Sequence, residues 1–492
     1  MILPLKQLLD CCQVETLAGD HGVMITSVVS DSRQVIAGSL FVAVSGTAVD
    51  GHQFIADAWR RGAAAVLVDS PTVFVTQHSA LPAGRALCLV ADSRKSLALL
   101  AACWHGFPAQ KLHLIGITGT NGKTTVSYLL EHLLQGAGFQ VGVVGTVSYR
   151  FSGTERVADR TTPGPEQLQQ LLRQMVDAGV TCCIMEVSSH ALIQERVYGL
   201  PFAEVVFTNL THEHLDYHRD MEDYFQAKKR LFADEHRQAV KIINSDDPWG
   251  CRLLAEVAEP KESYGLIDHP DLLAAELRLT SQGAHFVLST AGEALAFQSP
   301  LIGRFNVANV LAAVAAARRL GCGVAELQQG VASFSSVPGR LERVPNQRRI
   351  HVFVDYAHTP DALEGVLSTL KETVSGGRLL TLFGCGGNRD RQKRPAMGAI
   401  AQRYSDLVVV TSDNPRHEDP EVIIADILSG MEQSPAVIVE VDRRRAISRI
   451  IAASCPGDLV LLAGKGHETY QQVGARQLPF DDVAVAREVM AA

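Results

Sequence analysis

The chain contains no apolar run near the ~18 residues needed to cross a bilayer as a helix, so membrane insertion is not expected. Its start, MILPLKQLLDCCQ, lacks the basic stretch and apolar core of an export signal, and a cytoplasmic address is expected. Positive charge is not in excess: 45 Lys and Arg stand against 53 Asp and Glu, a formal net charge of -8. Broad attraction to nucleic acid or anionic membrane is therefore not expected, and an anionic ligand must meet local basic groups. The ten cysteines form no CxxC pair. Cys11/Cys12 and Cys182/Cys183 are adjacent, so on a strand each pair would face opposite ways, and buried reduced thiols are expected. Internal repeats, heptads and low-complexity tracts are also missing.

What is present is ordinary globular material, 492 residues with 47% hydrophobic and 20% charged. At roughly 150 residues per domain that length suits about three domains. Residues 1–105 carry short β-type runs at Ser39-Leu-Phe-Val-Ala-Val and Ala63-Ala-Ala-Val-Leu-Val between Gly, Asp and Ser turns, which predicts a small α/β domain. Residues 106–337 alternate predicted strands (Leu112 to Thr118, Gln140 to Val147, Cys182 to Val187, Ala203 to Thr208, Val240 to Asn244) with helices, as in a parallel sheet covered on both faces. Val337-Pro-Gly-Arg340 punctuates the next boundary. Residues 338–492 then repeat the alternation at His351 to Asp355, Leu379 to Phe383, Leu407 to Val410, Val437 to Val441 and Leu459 to Leu462, a doubly wound, Rossmann-like pattern.

The strongest local signal is Gly119-Thr120-Asn121-Gly122-Lys123-Thr124-Thr125. It lies between a strand and a helix whose apolar positions Val126, Leu129, Leu130, Leu133 and Leu134 fall on one face. There backbone N–H groups and a helix N-terminus can surround a polyphosphate, with Lys123 reaching the outer phosphates and the Thr124 hydroxyl placed for Mg²⁺. The run departs from the general phosphate-loop pattern in having Ile117 five positions before Gly122, with glycines at 116 and 119 instead. Gly384-Cys-Gly386-Gly387-Asn-Arg389 is a different case: its sixth position is Arg, and a grip on a carboxylate or phosphate is expected rather than a dinucleotide site.

Glu186 ends a predicted strand, so its carboxylate falls at the sheet's carboxyl edge near the phosphate loop, where it suits Mg²⁺. Thr211 to Tyr217-His218 packs three imidazoles and two carboxylates into eight residues. One reading is one of these histidines assisting a nucleotide-bound Mg²⁺ site; the rival is a hydrolytic zinc site, whose HxHxDH run is broken by Tyr217. Lys228 and Lys229, on a helix predicted over Met221 to Phe232, read on their own as a solvated face.

Taken in order, GTNGKTT, MEVSSH, HLDYH, GRFNVANVLAA, PGRLE, DYAHTPDAL, DNPR and GKGHE resemble the Mur ligase family across nearly the whole chain. The resemblance implies an N-terminal domain for the UDP end of a substrate, a central ATPase and a C-terminal domain for an amino acid. It implies Lys123 on the ATP phosphates, Thr124 and Glu186 on one Mg²⁺, and His214 with a carbamylated Lys228, fourteen positions on, near a second. Carbamylation needs an uncharged amine, so burial of Lys228 is expected. The resemblance sets Asn306, Arg340, Asp355 and Tyr356 around the nucleotide, with Arg340 completing that site on domain closure. Ser30 matches the uridine-side segment, and Thr161, Thr162, Ser188 and Arg196 the muramoyl-peptide side. Arg389, Asp413, Asn414, Pro415, Arg416, Gly464 and Glu468 match determinants for diaminopimelate, whose distal carboxylate suits the Arg416 fork.

The implied reaction is ATP-dependent joining of meso-diaminopimelate to the D-glutamate γ-carboxylate of UDP-MurNAc-L-Ala-D-Glu by a monomer, through an acyl phosphate. Two rivals differ at the sequence level. A folylpolyglutamate synthase-like ligase would lack this N-terminal domain, and a nucleotide-dependent switch would lack the catalytic set of the second and third domains.

Overall fold

The apolar residues Leu114, Ile115 and Ile117 lie on both faces of the strand His113–Thr118, so it belongs in the middle of a sheet covered twice. The computed structural model, which describes residues 2–46, 49–213, 217–233, 238–290, 292–374 and 376–491, puts it there. His113–Thr118 pairs in parallel with Cys182–Glu186 on one side and Phe202–Phe207 on the other. Helices Lys123–Gly136 and Arg304–Arg319 cover one face with Leu129, Leu130, Leu133, Val307, Val310 and Leu311. Helices Pro165–Asp177 and Met221–Lys229 cover the opposite face with Leu168, Leu172, Met175, Tyr224 and Phe225. Cys182 enters the first core and Cys183 the second, the two-faced placement their adjacency required.

This central sheet has eleven strands and is not wholly parallel. The parallel run from Val141–Val144 to Leu272–Thr280 is extended at one edge by the antiparallel hairpin Ser148–Phe151 and Thr154–Val157. At the other edge Gly283–Thr290 and Glu293–Ser299 are added, again antiparallel. The physical reason is solvation. Leu272 and Ala274 of Leu272–Thr280 are buried, but from Glu276 to Thr280 exposed positions alternate with half-buried ones, which suits a sheet wet on one face and joined by tight turns.

The N-terminal sheet has five strands in the order Val14–Gly19, Ala86–Val90, Ala65–Val68, Ser39–Val42, Ser27–Val29, antiparallel only at its first pair. The C-terminal sheet has six: Glu342–Val344, His351–Asp355, Leu459–Ala463, Leu379–Phe383, Leu407–Val410, Val437–Val439, parallel except for the first pair. The architecture is thus α/β in three large sheets, the central one mainly parallel, with two-stranded ribbons at Leu3–Pro4/Met24–Ile25 and Tyr470–Val473/Arg476–Pro479.

The helix over Met221 ends earlier than its periodicity predicts. Asp220 caps its start by accepting from Asp223 N at 2.8 Å, and after Lys229 the chain tightens into the 3-10 turn Arg230–Phe232. The thiols depart from expectation too. All ten are free, but Cys251 and Cys455 are exposed, and Cys11, Cys12 and Cys103 are half-buried. Among the described residues no helix is long and apolar enough to cross a membrane.

Candidate active site

The phosphate-loop run spans the end of His113–Thr118 and the start of Lys123–Gly136. Its two glycines answer two different constraints. Gly119 has φ +150°, and a Cβ there would stand 1.9 Å from Thr208 Oγ1; Gly122 has φ +88°, and a Cβ would stand 2.4 Å from Asn309 Oδ1. Gly116, which breaks the usual spacing, lies in the strand against Phe202 and takes no part in the loop. Residues that sequence reasoning missed fasten the loop. Thr208 Oγ1 donates to Asn121 O at 2.6 Å, Asn121 N to Asn209 Oδ1 at 2.9 Å, and Thr211 N to Thr120 Oγ1 at 3.0 Å. Thr120 Oγ1 also meets Tyr224 Oη at 3.2 Å. The available signal was the run Thr208-Asn209-Leu210-Thr211 directly after a strand, rich in short hydrogen-bonding side chains.

Glu186 is 1% exposed at the end of its strand. Four neutral donors meet its carboxylate: Thr124 Oγ1 at 3.0 Å, Ser127 Oγ at 3.2 Å, Thr146 N at 3.2 Å and Thr146 Oγ1 at 2.8 Å. A buried carboxylate ringed by hydroxyls beside a phosphate loop has the donor chemistry of a hard-cation site, all oxygen and one net charge. Thr161 Oγ1 joins the same group through Thr146 Oγ1 at 3.1 Å. Thr162 Oγ1 donates to Glu186 O at 2.8 Å and accepts from Ser188 N at 3.1 Å. Thr125 is buried in the first turn of the helix.

Two lysines converge on one oxygen. Lys123 Nζ donates to Gly119 O at 2.7 Å and Thr120 O at 2.8 Å, and Lys228 Nζ donates to Gly119 O at 2.8 Å. Lys228 is 1% exposed, with its amine over the Tyr224 ring. Burial, then the positive charge of Lys123, pushes the Lys228 amine well below the ordinary lysine range. Burial also lowers Lys123, while Glu213 and Glu186 pull it back up. The solvated reading of Lys228 is therefore wrong: the residue faces the loop, and only Lys229 reaches outward, to Glu256 Oε2 at 2.7 Å. His214 lies outside the described residues.

The C-terminal domain presents its own residues to this loop. Arg340 stacks on Tyr356, its guanidinium carbon 4.9 Å from the ring centroid, and its positive charge weighs on the Lys123 amine. Asp355 accepts from Leu341 N at 2.7 Å and Ala357 N at 2.8 Å, and burial raises its carboxyl. Tyr356 also packs on His467, whose imidazole is lowered to about 4 by burial and then by Arg340. Asn306 donates to Ile302 O at 2.8 Å and accepts from Asn309, which touches Gly122; Asn309, three residues on, is the missed half of that pair.

On the other side, Ser30 of the N-terminal domain donates through N and Oγ to Glu166 Oε1, at 3.0 and 2.6 Å. Both line a cleft of about 230 Å³ with Arg94, Arg160 and Arg196. Arg196 turns one nitrogen to Thr162 O at 2.7 Å, which ties the cleft to the Glu186 group.

The residues that the resemblance assigns to the amino acid form a separate rim on the C-terminal sheet. Gly386 lies between Arg389 and Arg416, since a Cβ on it would stand 3.8 Å from Arg389 Cγ and 2.9 Å from Arg416 Nη1. Asn414 donates to Glu468 Oε2 at 2.7 Å. The fully buried Lys465, missed in the sequence, reaches Glu468 Oε2 at 3.2 Å and Asn414 Oδ1 at 3.3 Å. Gly464, at φ +110°, leaves no room for a Cβ beside Asp413 Oδ2. Pro415 is buried within the same loop. Arg416 spends one nitrogen on Gly387 O at 2.8 Å, so only part of its fork faces outward.

Phosphate loop, buried carboxylate and a basic rim on a second parallel sheet define an enzyme that uses a nucleoside triphosphate to act on an anionic substrate. Three family models match: Mur ligase family, catalytic domain, over residues 24–105; Mur ligase middle domain over 117–317; and Mur ligase, glutamate ligase domain, over 339–466. The chain is 47% identical over 467 residues to a UDP-N-acetylmuramoyl-L-alanyl-D-glutamate--2,6-diaminopimelate ligase of Gloeobacter violaceus, covering 95% of this chain and 94% of that one. A protein of the same name from Geobacter metallireducens is 45% identical over 486 residues, with 94% of each chain covered. A solved structure bearing that ligase name matches with a TM-score of 0.73 at 33% identity, covering 100% of this chain and 99% of that one. This chain belongs to the Mur ligase family.

Proposed function

We propose that the chain is an ATP-dependent amide ligase that adds meso-diaminopimelate to the D-glutamate γ-carboxyl of UDP-MurNAc-L-Ala-D-Glu in peptidoglycan synthesis. The observation that carries this reading is the joint where Lys123, Lys228 and the Thr124–Glu186 pair surround the loop while Arg340 of the next domain bears on the same amine. Full-length likeness to diaminopimelate ligases supports the choice of amino acid.

A carboxylate is a poor acyl donor because its leaving group would be oxide. In this reading the γ-carboxylate attacks the ATP γ-phosphoryl group, ADP leaves, and the resulting acyl phosphate is attacked by the diaminopimelate amine, releasing phosphate. Loop N–H groups from Gly119 to Thr125, with Lys123 and Arg340, hold and stabilise the phosphoryl charge in flight. Asn306, Asp355 and Tyr356 border the nucleotide. Thr124 and Glu186 would hold one Mg²⁺, and His214 with a carbamylated Lys228 a second; such ions neutralise the crowded anions. Ser30 takes the uridine side, while Thr161, Thr162, Ser188 and Arg196 take the muramoyl peptide. Arg389, Asp413, Asn414, Pro415, Arg416, Gly464 and Glu468 receive the amino acid. Water exclusion between the domains protects the acyl phosphate from hydrolysis.

The domain limits 1–105, 106–337 and 338–492, a cytoplasmic location and a monomeric state complete the proposal. Purified protein should release phosphate only when ATP, the UDP-dipeptide and diaminopimelate are all present. Steady release without the amino acid would refute coupled ligation.

A further inference from the structure

Arg394 is 0% exposed, yet it carries a charge. Its Nη1 reaches Glu418 Oε2 at 3.0 Å and Asp426 Oδ2 at 2.9 Å, and its Nη2 reaches Glu418 Oε1 at 3.1 Å and Gly386 O at 3.3 Å. Glu418 also accepts from the backbone N–H of Asn388 and from Arg391 Nη2, at 2.9 Å for the latter. Burying a guanidinium with two carboxylates gains little net stability over an apolar substitute, so what the cluster contributes is geometry.

The geometry it fixes is the relation between two loops. One, residues 384–392, carries Arg389; the other, residues 413–418, carries Asn414 and Arg416. Gly387 N donates to Asn414 O at 2.9 Å, Arg416 Nη1 to Gly387 O at 2.8 Å, and His417 N to Asn388 Oδ1 at 3.0 Å. Asn388 and Arg416 both stand at positive φ, +52° and +51°; asparagine tolerates that conformation, but arginine holds it when its surroundings impose it. Glu418 is the side chain that joins loop, helix and loop in one contact set.

We propose that Glu418 is a positioning residue: acting through Arg394 and the Asn388 amide, it sets the spacing of Arg389 and Arg416. It thereby determines affinity for the incoming amino acid and its preference for a side chain ending in a carboxylate. This rests on the ligase reading above.

The test is steady-state kinetics of the full-length enzyme with each substrate varied in turn. Glu418→Gln keeps the side-chain size and leaves Arg394 its pair with Asp426. It should raise KM for diaminopimelate about 10- to 100-fold, as expected of misplaced binding groups, with KM for ATP and the UDP-dipeptide unchanged and selectivity over lysine reduced. Asp426→Asn removes the other partner of the same guanidinium without touching either loop. It should lower the unfolding midpoint and leave the diaminopimelate KM as it was. Should Glu418→Gln fail to fold, Glu418→Asp, which keeps the charge but shortens the reach to Arg394 and the Asn388 amide, carries the same expectation. Unchanged diaminopimelate KM and selectivity in the foldable variant would overturn the proposal, as would an equal rise in Asp426→Asn. A wild-type enzyme that joins no diaminopimelate would instead overturn the ligase reading.

Discussion

Two ammonium groups cannot comfortably donate to one carbonyl, and the Gly119 oxygen receives both Lys123 and Lys228. Repulsion and desolvation both favour losing a proton from the deeper amine, and a neutral amine is the form that can take up carbon dioxide. Lys228→Ala should therefore lose at least about 100-fold in rate and regain part of it with added short carboxylates; full activity without them would exclude a carbamate role. Intact-mass measurement in bicarbonate, with Lys228→Ala as the blank, reads the modification directly. Lys123→Ala should cost about 10²- to 10³-fold or more in kcat, the loss expected for a donor to transition-state charge. His467 supplies a pH test. Its folded pKa of about 4 lies below the ordinary 6.5, so between those values the unfolded chain binds a proton that the folded chain refuses. Stability should rise with pH across that window and fall as pH drops through it. His467→Asn should flatten this part of a urea-midpoint curve, and an unaltered slope would contradict the assignment.

At the level of elements, the last helix is held by a charge rather than by packing alone. Arg443 and Asp482 pair at 2.6 and 2.8 Å with both side chains 0% exposed, and Arg443 also reaches Ala463 O, next to Gly464. Asp482→Ala strands a buried guanidinium and should cost about 3–5 kcal/mol, whereas Glu488→Ala, which frees the exposed Arg444, should cost under about 1 kcal/mol. Urea unfolding of the two variants distinguishes these cases. Elements with strong periodicity were legible in the sequence. The helix after the phosphate loop and the strands at Val240–Asn244, His351–Asp355 and Leu379–Phe383 lie where their patterns predict, because each is buried on one defined face or on both. The edge hairpins at 148–157 and 272–299 were not legible, since alternating half-buried runs say nothing of which sheet they will join. Lys228 was misread from its own surroundings for a related reason: a lysine pair on a helix carries no mark of which member turns inward. Thr208, Asn209 and Asn309 went unnoticed because short polar residues after a strand, or within a helix, acquire meaning only from the loop they touch.

Across the whole molecule, loops of the three large sheets form a chain of neighbours: Ser30 bonds Glu166, Arg196 of the same cleft bonds Thr162, Thr162 and Thr124 bond Glu186, and the charge of Arg340, stacked on Tyr356, bears on the Lys123 amine. Resemblance singled out Ser30, Thr162, Glu186, Lys123, Arg340 and Tyr356, and the structure adds the physical links between them. Such an arrangement suits a reaction whose intermediate must pass from the triphosphate to an amine without meeting water. The decisive measurement labels the D-glutamate γ-carboxylate of the UDP-dipeptide with oxygen-18 and follows the label through a single round of ligation. Attack by that carboxylate on the γ-phosphoryl group predicts that the released phosphate carries the heavy oxygen; phosphate free of label would contradict acyl-phosphate formation.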